Sequence, residues 1–135
     1  MLFGDEHVRR YRETGGEVGY HWNDVTTLIL ETTGRHSGKL RAKALISGQD
    51  GDRYVVVASN GGAKSHPDWY LNLRDNPKVE VQVKDEVFGA RARTAEGAER
   101  ERLWDQMAEI WPAYNDYQRK TDRQIPVVVL EREEP

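Results

Sequence analysis

Residues 25–47 read VTTLILETT, then GRHSGK, then LRAKALIS. Val25–Thr33 is rich in β-branched residues, which suit a pleated strand, and Leu40–Ser47 follows as a second run after a turn holding Gly34 and Gly38. The pair predicts adjacent strands and puts the chain among β-rich folds. Further along, Gln49-Asp50-Gly51-Asp52 supplies a tight hairpin turn, since Asp-Gly accepts positive φ. Arg53–Ser59 comes next as the most apolar strand, expected at the centre of the sheet. Ser65-His66-Pro67-Asp68 announces a helix, with Ser65 placed to cap, Pro67 in the first turn and Asp68 near the positive end. This helix should run to about Asp75 and stop at Asn76-Pro77.

Val79, Val81 and Val83 alternate with charged or polar residues, the period-2 mark of a half-buried strand, and Val87–Thr94 is its expected hairpin partner. From Ala95 onward, Leu103, Met107, Ile110 and Tyr114 define one apolar face of a long helix. Pro112 should break it, because the residue before proline, Trp111, is driven away from helical geometry. Ile125–Glu131 closes the chain as a strand with Pro126 near its start. Working back to the N-terminus, residues 4–14 can form a short helix ended by Gly15-Gly16. The sum is six strands, mostly antiparallel, with helices between them. Such a β-rich α+β chain packs naturally as a small barrel or rolled sheet with peripheral helices.

Length and composition agree. At 135 residues the chain fits one domain with a real core, and 37% hydrophobic against 32% charged residues reads as a solvated globular surface. Its longest strictly apolar stretch is a handful of residues around Tyr54–Ala58, whereas a membrane span needs about 20. The start carries Asp5, Glu6, Arg9 and Arg10, which does not resemble a signal peptide. Zero cysteines exclude disulfides, thiolate metal sites and a Cys nucleophile, and a cytoplasmic setting is expected. The net charge of −3, with one basic segment only, argues against nucleic acid as a partner.

That basic segment is residues 34–43. Arg35, Lys39, Arg41 and Lys43 bring four full positive charges and no acid. One reading is a solvated strand edge, where lysines deter aggregation. The other is an anion site, with Arg35, Ser37 and Arg41 around a glycine-flexed turn whose amides can face phosphate or carboxylate oxygens. It is not a Walker loop, because Leu40 stands where a Ser or Thr should bind magnesium. The second candidate is Val57-Ala58-Ser59-Asn60-Gly61-Gly62, a strand end that brings bare backbone near a ligand or simply connects strand to helix. Trp69, Asn72 and Leu73 share a helix face. Trp104, Trp111, Tyr114 and Tyr117 form an aromatic group of which the last three straddle Pro112, and tyrosine hydroxyls there need partners. The histidines at 7, 21, 36 and 66 show no ligand spacing, so no metal site is expected.

Taken in order, these segments resemble the deazaflavin-dependent nitroreductase and quinone reductase family, split β-barrel proteins that use coenzyme F420. The matching pieces are Thr32-Thr33-Gly34-Arg35-His36-Ser37-Gly38 with Arg41, then Val57 to Ala63, then Pro67-Asp68-Trp69-Tyr70-Leu71-Asn72-Leu73. Asn76-Pro77-Lys78-Val79, Trp111-Pro112-Ala113-Tyr114-Asn115-Asp116-Tyr117 and Thr121-Asp122-Arg123-Gln124-Ile125-Pro126 complete the set, which covers about residues 24–131. His36 and Asn60 stand where the best-known branch has lysines, and Trp111 replaces a tyrosine.

The resemblance implies a short N-terminal helical leader over 1–23 and a deazaflavin-binding split barrel over 24–135, six-stranded, FMN-binding split-barrel-like and usually dimeric. It implies hydride transfer from reduced coenzyme F420, an 8-hydroxy-5-deazaflavin, to a small-molecule acceptor such as a quinone or nitroaromatic. By similarity, Arg35, His36, Ser37 and Arg41 hold the phosphate and polyglutamate tail. Ala42, Lys43, Ala44, Leu45, Ala58, Ser59 and Asn60 line the deazaflavin and ribityl groove, and Trp69 and Asn72 close it from the helix. Tyr114 and Tyr117 stand on the acceptor side with Trp111, and Ser59 or a tyrosine hydroxyl meets developing charge or delivers a proton. Two other readings share the fold: an FMN-dependent oxidoreductase, for which four charges are oversized, and a non-catalytic barrel storing a cofactor or lipid-like ligand.

Overall fold

The two runs quoted first form the longest register in the molecule. β2 (Val25–Thr33) pairs antiparallel with β3 (Leu40–Ile46) from Thr27 opposite Ile46 to Thr33 opposite Leu40. The structure is a computed structural model that describes residues 2–133; Met1, Glu134 and Pro135, which complete the expected segments 1–23 and 24–135, lie outside the described residues. The other strands are β1 (His21–Trp22), β4 (Gly48–Asp50), β5 (Arg53–Val57), β6 (Lys78–Val83), β7 (Glu86–Thr94) and β8 (Val127–Arg132). The helices are α1 (Gly4–Thr14), α2 (Asp68–Asp75), α3 (Gly97–Ile110) and α4 (Ala113–Arg119), with a 3-10 turn at Asn60–Gly62.

Hydrogen bonding runs from β3 to β2, β6, β7, β8, β5 and finally β4, every pair antiparallel. The two ends of that order, β3 and β4, are one piece of chain bent at the buried Ser47, whose N–H donates to the Thr26 carbonyl at 3.0 Å. The sheet therefore curls until a single bent strand serves both of its edges, with the far edge of β3 left without a ladder partner among the described residues. This also corrects the strand count. Among the described residues eight strands stand where six were expected, because the bend at Ser47 cuts β4 from β3, and because His21–Trp22 is clipped onto β2 as an extra edge.

β5 is not central. It lies next to last in the order, yet it is the most apolar strand because both of its faces are covered. Val56 points into the barrel with Leu28, Leu30, Val81 and Leu130, while Val55 and Val57 meet Leu103, Met107 and Tyr114 of α3 and α4. Burying both faces selects a continuous apolar run rather than alternation.

The start of α2 also differs from expectation. Ser65 does not cap it; Pro67 is the N-cap residue, and its carbonyl accepts from the amides of Tyr70 and Leu71 at 3.1 and 3.3 Å. His66, being before a proline, is kept out of helical geometry, so the helix cannot begin earlier. The Ser65 carbonyl instead accepts from the side-chain Nδ2 of Asn60 at 3.1 Å. The break at Pro112 is where it was expected, between α3 and α4. At the N-terminus, α1 lays Val8 and Tyr11 on Ile29, Ala42 and Ala44. The Tyr11 hydroxyl donates to the Thr27 carbonyl at 3.0 Å and accepts from the Lys84 amide at 2.9 Å, and burial pushes its pKa up to about 12. No helix among the described residues is long and apolar enough to cross a membrane.

Candidate active site

β3 and β5 face each other near the bend without a ladder between them. A cleft of about 710 Å³ opens there, walled by Lys43 to Ile46 of β3, by Val57 and Ser59 at the end of β5, by the start of α2, and by Trp111, Tyr114 and Tyr117. A second cavity of about 450 Å³ lies beside it, formed by Gly34 to Ser37, Arg41 and Asn72. Lys43, Asp68 and Trp69 line both, so the two make one groove with an aromatic end and a basic end. Volumes of this size suit a cofactor rather than a lone ion.

At the basic end the turn is braced by its own atoms. The Gly34 amide donates to the Lys39 carbonyl at 2.7 Å, the Gly38 amide to Gly34 at 2.8 Å, and the Lys39 amide to Ser37 Oγ at 3.1 Å. Arg35 is held rather than loose. Its guanidinium donates to Asn72 Oδ1 at 2.8 Å and to Asp68 Oδ1 at 3.2 Å, and its backbone N–H reaches the same Asn72 oxygen. Buried Asn72 donates in turn to Thr32 Oγ1 at 3.3 Å. Arg35 and Asn72 therefore shape the turn. The side chains of His36, Arg41 and Lys43 are exposed around it with no hydrogen bond or ion pair among the described residues, leaving their charge and donors open to an anion.

At the aromatic end Tyr114 is 5% exposed. Its hydroxyl has no hydrogen-bond partner among the described residues, and burial, with Tyr117 adding, raises its pKa, so it stays a neutral phenol. The Tyr117 ring meets it edge-on at 6.2 Å, and the Lys120 ammonium lies 5.7 Å from that ring. The Trp111 ring lies 6.0 Å from Trp22. An aromatic slot with an unpaired phenol can take a flat ligand and donate one hydrogen bond to it.

Most of the expected residues share this groove. Arg35, His36, Ser37, Arg41, Lys43, Ala44, Leu45, Ser59, Asn60, Trp69, Asn72, Trp111, Tyr114 and Tyr117 all line one cavity or the other. Ala42 and Ala58 do not. Ala42 packs toward α1, and Ala58 is fully buried in the barrel core. Among the described residues no group of His, Asp and Glu could hold a metal ion.

Three features escaped sequence reasoning. Arg123 donates to the carbonyls of Ala63, Ala58 and Ser59 at 2.9, 3.3 and 2.7 Å and to His66 Nδ1 at 3.0 Å, buckling the whole 58–66 loop. His66 lines the cleft. The N-terminal segment supplies a wall through Phe3, His7 and Trp22, with the Trp22 indole N–H donating to the Leu2 carbonyl at 2.8 Å. Nothing local marks any of these, since each acts on residues far away in sequence.

Comparison with known proteins converges on one family. The family model described as F420H(2)-dependent quinone reductase matches residues 4–132. An F420H(2)-dependent quinone reductase of Mycobacterium tuberculosis is 39% identical over 130 residues, covering 93% of this chain and 87% of that one. A solved structure of an F420-H2 dependent reductase is 44% identical with a TM-score of 0.72, over 78% of this chain and 93% of that one. Another, described as a domain-swapped dimer, is 42% identical with a TM-score of 0.76, over 93% and 95%. Solved structures only 17% identical, with TM-scores of 0.60 and 0.56, share the split-barrel fold alone.

Proposed function

The chain belongs to the F420H(2)-dependent quinone reductase family, and on that premise we propose that the groove described above binds coenzyme F420 and delivers its hydride to quinones, nitroaromatics or similar activated acceptors. When bound, the reduced deazaflavin supplies the hydride; the protein contributes placement and electrostatics. The observation that carries the reading is the joined groove, one end basic and the other aromatic. At the basic end Arg41, Lys43 and His36 face the phosphate and carboxylates of the tail, while Ser37, Arg35 and Asn72 keep the turn in shape. Lys43 to Leu45 and Ser59 to Asn60 form the side walls of the ring site, and Trp69 lies where the two cavities meet. Tyr114, Tyr117 and Ser59 stand where an acceptor oxygen gains charge, and each can donate a hydrogen bond or a proton from its hydroxyl. Trp111 sets the width of the acceptor end. A second copy of the chain completes the assembly, a homodimer.

The test is titration with coenzyme F420 and with FMN, followed by a screen of quinone and nitroaromatic acceptors. The deazaflavin should bind at micromolar strength or better, about −8 kcal/mol, and well ahead of FMN. Affinity should fall with added salt, and Arg41→Ala should weaken it by about 1.5–3 kcal/mol, the usual worth of a charged hydrogen bond. Equal or tighter FMN binding overturns the assignment.

A further inference from the structure

His66 sits in the wall of the larger cleft, in the loop between the end of β5 and α2. Its Nδ1 is 3.0 Å from Arg123 Nη1. A guanidinium has only donors, so Nδ1 must accept, and a neutral imidazole whose Nδ1 accepts carries its proton on Nε2. Burial, with Arg123 and Arg74 adding, lowers the pKa of His66 and favours that neutral form. The ring is braced from both sides. Tyr70 lies 4.9 Å from it, and Arg123 is itself fixed by three carbonyls of the same loop. Nε2 has no hydrogen-bond partner among the described residues. The result is a rigid, half-buried ring of defined tautomer, with one unspent N–H, in the wall that also carries Ser59 and Asn60.

We propose that His66 is a cofactor-binding residue: held at Nδ1 by Arg123, it presents Nε2–H as a hydrogen-bond donor to an oxygen of the bound deazaflavin moiety. This rests on the F420 reading above. Two near-isosteric variants separate the ring's two nitrogens. In His66→Asn the side-chain oxygen can still accept from Arg123, but nothing reaches the Nε2 position. In His66→Gln an amide N–H can reach that position.

Binding of oxidised coenzyme F420 is followed by fluorescence, with the absorption spectrum of the bound cofactor and the melting temperature of each protein. The expected result is that His66→Asn keeps its melting temperature, loses affinity about 5–10-fold, as one hydrogen bond is worth, and shifts the bound cofactor's absorption band. His66→Gln should stay within about threefold of wild type and keep the wild-type band. If His66→Asn binds with wild-type affinity and spectrum, or if both variants weaken alike with lowered melting temperatures, His66 only anchors Arg123 and the proposal is overturned. Wild-type protein that does not bind coenzyme F420 overturns the functional reading, and this one with it.

Discussion

The Tyr114 phenol is the least expected feature of the site at the scale of single residues. Its ring is buried, but its hydroxyl borders the cleft beside Tyr117 with no protein hydrogen-bond partner among the described residues. A bound acceptor whose oxygen gains negative charge would satisfy it. Tyr114→Phe and Tyr117→Phe each remove one oxygen atom and should leave coenzyme F420 affinity within a few-fold. Turnover should nevertheless fall about 10–100-fold, because a lost transition-state donor is worth about 1.4–2.7 kcal/mol. Steady-state loss of the reduced cofactor's absorbance with several acceptors measures this. Full rates on every acceptor for both variants would make the tyrosines core residues only. The basic turn teaches a related point. Four positive charges in ten residues were legible as an anion site, but not that Arg35 spends its donors on Asn72 and Asp68 while Arg41 remains open.

Among the elements, the contact between the 3-10 turn and α4 positions the aromatic end of the groove. Gly62 has φ of +83°, and a Cβ there would lie 2.7 Å from the Tyr117 carbonyl oxygen and 3.0 Å from its Cα. Both the conformation and the close approach require glycine. Gly62→Ala should therefore destabilise the protein by at least about 1–3 kcal/mol and push α4 away from the turn. Thermal melting and coenzyme F420 titration should both report it, and a variant with wild-type melting temperature and turnover would show that the approach has slack. The element boundaries at Pro112 and Asn76-Pro77 were readable because proline acts on its immediate neighbours. The start of α2 was misplaced at Ser65 for the same reason in reverse: a serine can cap, but Pro67 two residues on decides where helical geometry begins.

For the whole molecule, the barrel depends on keeping β4 on β5 and under α3. Asp50 does this at the end of the bent strand, accepting from Arg102 at 3.0 and 3.2 Å and from Arg53. The Arg102 hydrogen bonds, opposed by partial burial and aided by Arg53, hold its pKa down at about 2. A carboxylate with a folded pKa below its unfolded value stabilises fully above about pH 4, and that contribution is lost as pH falls toward 2. Asp50→Asn should thus melt below wild type at pH 7, and the gap should close between about pH 4 and pH 2. Melting curves at several pH values check this; a gap that persists at pH 2 would mean that packing, not charge, is what Asp50 supplies.

The split-barrel class and the six expected strands followed from sequence alone, because strand alternation, proline breaks and glycine turns act within a few residues, and because the motif order matched a known family. Of the residues expected at the site most line the groove, but Ala42 and Ala58 do not. Which strands share an edge did not. The closure through Ser47, the burial of β5 on both faces, the Arg123 buckle on His66 and the wall given by Phe3, His7 and Trp22 all join residues distant in the chain. Such contacts exist only once the sheet has curled, since nothing at either partner's own position encodes the other.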